Sequence, residues 1–176
     1  MMTAYRFFGF ATILVALSSP IRCQTQKIHE QKIFNAEDLK VERPVEIPKQ
    51  VLMLLAKDDL VSSATEDTEY SAGLPHKEWF AASLVSRDKS EEKLYLILGK
   101  GPLLGSHVTT FWLVGHDNRT SEPAVLFCAA ADQLIIGKMD ESGYPKLTVV
   151  VMTQNSVIDT VLHYVAGKYI PEYPKK

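Results

Sequence analysis

Lys93–Val114 reads KLYLILGKGPLLGSHVTTFWLV, two apolar runs joined by a loop that holds Gly99, Gly101, Pro102 and Gly105. Short runs rich in β-branched and aromatic residues, bounded by turn formers, predict two buried strands and a tight connection. The same pattern repeats on both sides of this stretch. The spacing predicts further strands over Glu78–Val85, Lys93–Leu98, His107–Gly115, Ala124–Ala131, Gln133–Met139, Lys146–Gln154 and Val157–Val165. Connections of a few residues force neighbouring strands to run antiparallel. Turn chemistry agrees, with Arg87-Asp88-Lys89-Ser90, His116-Asp117-Asn118-Arg119, Asp140-Glu141-Ser142-Gly143 and Gln154-Asn155-Ser156 between apolar runs.

Alternation assigns the faces. Leu94–Leu98 and Leu147–Met152 are apolar on both sides, so they are central strands that need cover from two directions. Val157–Val165 carries Asp159 and His163 on one side and reads as a strand near an edge, open to dimerisation by strand addition. Before the strands, Pro48 starts a helix whose apolar stripe is Val51, Leu52, Leu54 and Leu55, ending near Lys57-Asp58-Asp59. A helix this short needs a sheet face to pack on. Ser62–Lys77 reads as a polar surface loop, and its Glu66, Asp67 and Glu69 lack the alternation of a calcium loop, so they form a solvated patch. The expected fold is therefore α+β: a mainly antiparallel sheet of about six or seven strands, a sandwich or partly closed barrel, with one short N-terminal helix.

The chain has 176 residues, 46% apolar and 23% charged, enough for one core; one globular domain over 47–170 with a tail at 171–176 is expected. A net charge of −2 with lysines spread along the chain offers no field for a phosphate backbone, which argues against nucleic acid as a partner. Met1–Arg6 followed by the unbroken apolar run Phe7–Leu17 and small residues has the layout of a secretory signal peptide over 1–23, cut after Ser18 or as late as Cys23. That run is too short to span a bilayer, so no transmembrane span is expected in the mature chain. Export to the periplasm or the extracellular space follows. Pro20-Ile21-Arg22 is a poor lipobox, which disfavours a lipid anchor at Cys23. Gln24–Glu46 is charged and without period, and reads as an extended arm or linker.

The two cysteines leave two readings open. An even count in an exported chain suggests a Cys23–Cys128 disulfide. Alternatively Cys128, within the apolar run Ala124–Ala131, is a small buried hydrophobe and Cys23 is removed with the leader.

Leu98–Val108 leading to Phe111-Trp112, then Gly143-Tyr144, then Tyr164-Val-Ala-Gly-Lys-Tyr169 resemble a group of small exported bacterial proteins of unassigned activity. In that group a glycine-rich loop precedes a Phe-Trp strand, an Asn-Gly-Tyr turn opens a hairpin, and the chain ends in Tyr-x-x-Gly-x-Tyr. Here Ser142 stands in place of the asparagine, and Pro145-Lys146 where an acidic residue is common. The resemblance implies an exported domain over roughly Ile47–Tyr169 and brings no reaction with it.

The chemistry-bearing residues are few. Gly99-x-Gly101-x-x-x-Gly105 follows a strand but leads into another strand rather than a helix, so it is a turn and not a dinucleotide fingerprint; no cofactor is expected. His29, His76, His107, His116 and His163 form no helical pair, and no metal site is expected. Ser106 beside His107, and Cys128 with His163, are the pairings open to nucleophilic catalysis; the first alternates across a strand and the second is inert if buried. Asn118-Arg119-Thr120 matches the N-glycosylation acceptor pattern. Candidate ligand-binding residues are His107, His116 and Trp112, although such aromatics more often fill the core and Trp112, with Val108, Thr110 and Val114 on its face, reads as core first. The function expected is a non-catalytic exported binding or inhibitor module that presents Ser62–Lys77 and Gly99–Gly105 to a protein or envelope partner. The alternative is a small secreted hydrolase with a site assembled around His107 and His116.

Overall fold

The computed structural model describes residues 31–66, 74–85, 93–116, 120 and 122–172. The leader, Cys23 with its pairing, His29, Asp67, Glu69 and Asn118 lie outside the described residues. In chain order the elements are β1 (Lys32–Asn35), α1 (Lys49–Leu55), α2 (Asp59–Glu66), β2 (Phe80–Val85), β3 (Leu94–Gly99), β4 (Thr109–His116), β5 (Pro123–Ala131), β6 (Gln133–Met139), β7 (Pro145–Met152), β8 (Val157–Val165) and β9 (Lys168–Pro171). Every strand pairing is antiparallel. They form two open sheets, β1-β6-β7-β8-β9 and β2-β3-β4-β5.

Strand alternation explains the layers. Leu96, Leu98, Phe111, Leu113 and Phe127 of the four-stranded sheet meet Leu134, Leu147, Leu162 and Tyr164 of the five-stranded one in a shared core. The opposite side of the four-stranded sheet, with Ile97, Trp112 and Val114, packs on Val51, Leu52 and Leu55 of α1 and Val61 of α2. β3 and β4 are thus covered from both sides, as their two-faced apolar runs demand. β7 differs from that expectation: Leu147 and Val149 face the core, whereas Met152 of the outer side is exposed. The outer side of this sheet also leaves Ile33, Val157 and Ile170 exposed.

One residue carries the chain between sheets. Asp132 follows β5 and precedes β6, donating its N–H to Val150 O and accepting from Ala36 N–H, while its Oδ2 accepts from Met152 N–H at 2.7 Å. A corner this sharp is stable because every backbone group at it is paired.

Several expectations need correction. Among the described residues there are nine strands, above the expected six or seven, and two α-helices instead of one. Part of the presumed arm is built into the fold, since β1 pairs with β6 and Val45 N–H bonds Ala82 O. Ser62–Glu66 is the second half of α2 rather than loop. Val157–Val165 stands next to the sheet edge as expected, but it is not a fully open edge, because β9 pairs with Leu162–Val165. Among the described residues, no helix is long and apolar enough to cross a membrane.

The glycine-rich loop is held by its own backbone. Gly101 adopts φ +55°, Thr109 Oγ1 donates to Gly99 O at 2.6 Å, and Gly105 N–H donates to Val108 O. A Cβ on Gly99 would come within 2.9 Å of Leu103 Cβ. Close packing and a left-handed backbone explain these glycines.

Candidate functional site

The three candidate ligand residues, two on β4 and one just ahead of it, go to three different places. Trp112 is 0% exposed, inside the layer between sheet and helices, and has no surface left for a ligand. His107 lies exposed ahead of β4 and lines a cleft of about 200 Å³ with Asn35, Asp38 and Asp132. His116 closes the other end of β4 and lines a separate cleft of about 220 Å³. The intervening strand alone spans about 23 Å at the usual rise per residue. The two histidines do not share a site.

Trp112 instead belongs to a polar hub that the sequence reading missed. Its indole Nε1 donates to Asp58 Oδ2 at 3.0 Å, and the Cys128 thiol reaches the same oxygen at 3.8 Å. Trp112 and Cys128 are register partners on β4 and β5, so both side chains rise from the same face. Asp58 Oδ1 accepts from Leu60 N–H at 3.0 Å, which makes Asp58 the N-cap of α2. The carboxylate therefore ties the junction of the helices to the sheet. The signal available was the Asp58-Asp59 pair ahead of Leu60-Val61, a cap position read only as a helix end.

Cys128 is exposed, contrary to the reading of it as a buried hydrophobe. Its position on β5, an outer strand of the sheet, explains this. Desolvation of the thiol first, then the Asp58 charge and the hydrogen bond to it, push its pKa from 9.0 up to about 11. A thiol held protonated is a poor nucleophile. Alkylation of Cys128 by iodoacetamide at pH 8 is expected to run about a hundredfold slower in the folded chain than in the denatured one, following the thiolate fraction. Mass analysis of the Cys128 peptide over time checks this, and Asp58→Asn should speed the folded-state reaction several-fold. Equal rates in folded and denatured chains would contradict the assignment.

His163 is far from this thiol. It faces the outer side of the five-stranded sheet, with Nε2 2.8 Å from Glu172 Oε2, whereas Cys128 faces the helices on the opposite side of the sandwich. His76 packs its ring on Trp79 at 5.3 Å. Among the described residues, no group of three or more His, Cys, Asp or Glu side chains is placed to hold a metal ion.

The cleft at His116 is the better built of the two. Tyr95 and Val114 are register partners, and continuing that pairing two places sets Lys93 across from His116. Alternation puts Lys93, Tyr95, Val114 and His116 on the helix-facing side, where Pro48, Gln50 and Val51 of the α1 start form the opposite wall. His116 Nδ1 is buried there without a hydrogen-bond partner. The Asn35 Oδ1 is likewise buried and unpartnered at the His107 cleft.

Comparison of the chain with protein-family models, with curated proteins and with solved structures found no match. The class defined by the geometry is an open antiparallel sandwich with a two-helix cover and a cleft under the first helix.

Proposed function

We propose that the chain is an exported, non-catalytic binding module whose ligand seats in the cleft between α1 and the ends of β3 and β4. The observation that carries this reading is the buried, unpartnered Nδ1 of His116 in a wall shared with Lys93 and Tyr95. A buried polar atom left without a partner costs about 1–3 kcal/mol, which a ligand that supplies the missing bond would recover. Export is supported by the leader pattern at 1–23.

Binding fits these residues better than turnover. A general base needs a partner that fixes its tautomer, and His116 Nδ1 has none. Of the two nucleophiles named in the sequence, Ser106 and Cys128, the latter is held as a thiol. The reading is tested by screening a set of neutral and charged fragments of up to about ten non-hydrogen atoms, sized to the cleft, against the ¹⁵N-labelled chain. Saturable shifts at Lys93, Tyr95, Gly115 and His116, with fragments recovered intact, are the expected result. Shifts confined to other surfaces, or chemical conversion of a bound fragment, would overturn it.

A further inference from the structure

We infer that the cleft under α1 takes a small monocarboxylate, its carboxylate between Lys93 and His116 and its short carbon body against Pro48 and Pro123; this rests on the cleft being a ligand site at all. Charge is the first argument. Among the described residues of the wall, Lys93 brings an ammonium and no residue brings a carboxylate. An ammonium beside an imidazole makes a two-donor seat for one anionic group, with charge-assisted bonds stronger than neutral ones.

Size and polarity narrow the class. The cleft holds about 220 Å³, below the range of about 300–1,000 Å³ that drug-sized ligands fill. Measured against the roughly 30 Å³ that one water occupies in the liquid, it has room for a chain of a few carbons with its head group. Pro48 and Pro123 give the remainder its apolar surface, and its polar side chains, Gln50 and Tyr95, bring no second positive charge. A phosphate ester or a dicarboxylate would leave charge against these apolar walls, at a desolvation cost that one ammonium does not offset. A monocarboxylate matches both halves.

The position of Lys93 follows from the fold. It precedes β3, is exposed and lines the cleft beside Tyr95, which leaves its long stem free to bring the ammonium to a ligand. His116 closes β4 opposite it. Neither residue contributes to either buried core, so the seat can be altered without removing core packing.

The test titrates the full folded chain with sodium butyrate and with butyramide, its neutral isostere, following backbone amides and the His116 ring nitrogens by NMR. Butyrate is expected to bind saturably at Lys93, Tyr95, Gly115 and His116, and to bind about tenfold tighter than butyramide. Lys93→Met, which keeps most of the stem, should weaken butyrate about tenfold while leaving butyramide unchanged. Raised salt should weaken butyrate alone. Equal affinity for both compounds would overturn the carboxylate assignment and leave the ligand-site reading standing. Butyrate binding unchanged in Lys93→Met would overturn it too. Failure of both compounds to shift the cleft overturns the assignment, and the fragment screen then decides the broader reading separately.

Discussion

Trp112→Ala is expected to lower the unfolding free energy by about 3–5 kcal/mol, the usual loss when a fully buried large aromatic is truncated in place. The side chain is 0% exposed and packs edge-on to Phe80 with ring centroids 6.0 Å apart. It sits where β4 meets the helices, so its removal opens a cavity beneath α1 and α2 and also takes the indole donor from Asp58. Because α1 has seven residues and α2 eight, neither is stable without this packing. Hydrogen exchange should therefore rise most in the two helices, and the melting point should fall by about 6–20 °C for a chain of this size. Trp112→Phe separates the two contributions: it keeps a ring but loses the N–H, at about 1–2 kcal/mol. Asp58→Ala removes the α2 cap, worth about 1 kcal/mol, and strands the indole N–H as well. The double variant Asp58→Ala, Trp112→Phe should cost less than the sum of the singles, since both break one bond. Strict additivity, or a loss below about 1 kcal/mol in Trp112→Ala, would show that the hub does not hold the helices down.

The hub also marks where sequence reading reached its limit. Gln133–Met139 and Val157–Val165 have the same bounds in sequence and structure, because sustained alternation between turn formers is a local signal. The other expected strands came within two residues at each end. β1 and β9 gave no such signal: each has four residues, and each exists through its partner rather than its own pattern. α2 was hidden because only Val61 is buried and Ser62, Ser63 and Thr65 read as loop chemistry. For the site, His116 was recognisable as a residue type, but the cleft around it was not. Lys93 reaches it only through the β3–β4 register, a long-range fact that no local window contains. Trp112 was open to two readings, core and binding surface, and is core, the reading its apolar strand favours.

The Gly143-Tyr144 turn and the Tyr164–Tyr169 chain end meet in one aromatic stack, and this sets the second large expectation. Tyr144 and Tyr164 stack with centroids 3.6 Å apart, Tyr164 meets Tyr169 edge-on at 5.6 Å, and Tyr169 meets Phe127 of the other sheet at 6.0 Å. Tyr164 and Tyr169 are register partners across a two-residue turn, where Ala166 and Gly167 both take positive φ, 49° and 96°, as a tight hairpin requires. The turn thus aims two rings at the core, and β9, four residues long, is fastened by them and by Tyr169 OH donating to Pro145 O at 2.9 Å. Tyr164→Ala is expected to cost about 3–4 kcal/mol, measured as a shift in the denaturant midpoint with little change in slope. The loss should concentrate at the chain end: the amides of Lys168, Tyr169 and Ile170 should exchange far faster while β6 and β7 keep their protection. Tyr169→Phe, which keeps the ring and loses one bond to a carbonyl, should cost about 1 kcal/mol and leave β9 in place. If Tyr164→Ala left β9 protected and the midpoint unchanged, the hairpin would be held by its backbone ladder alone, and the tyrosines would need another reason to converge.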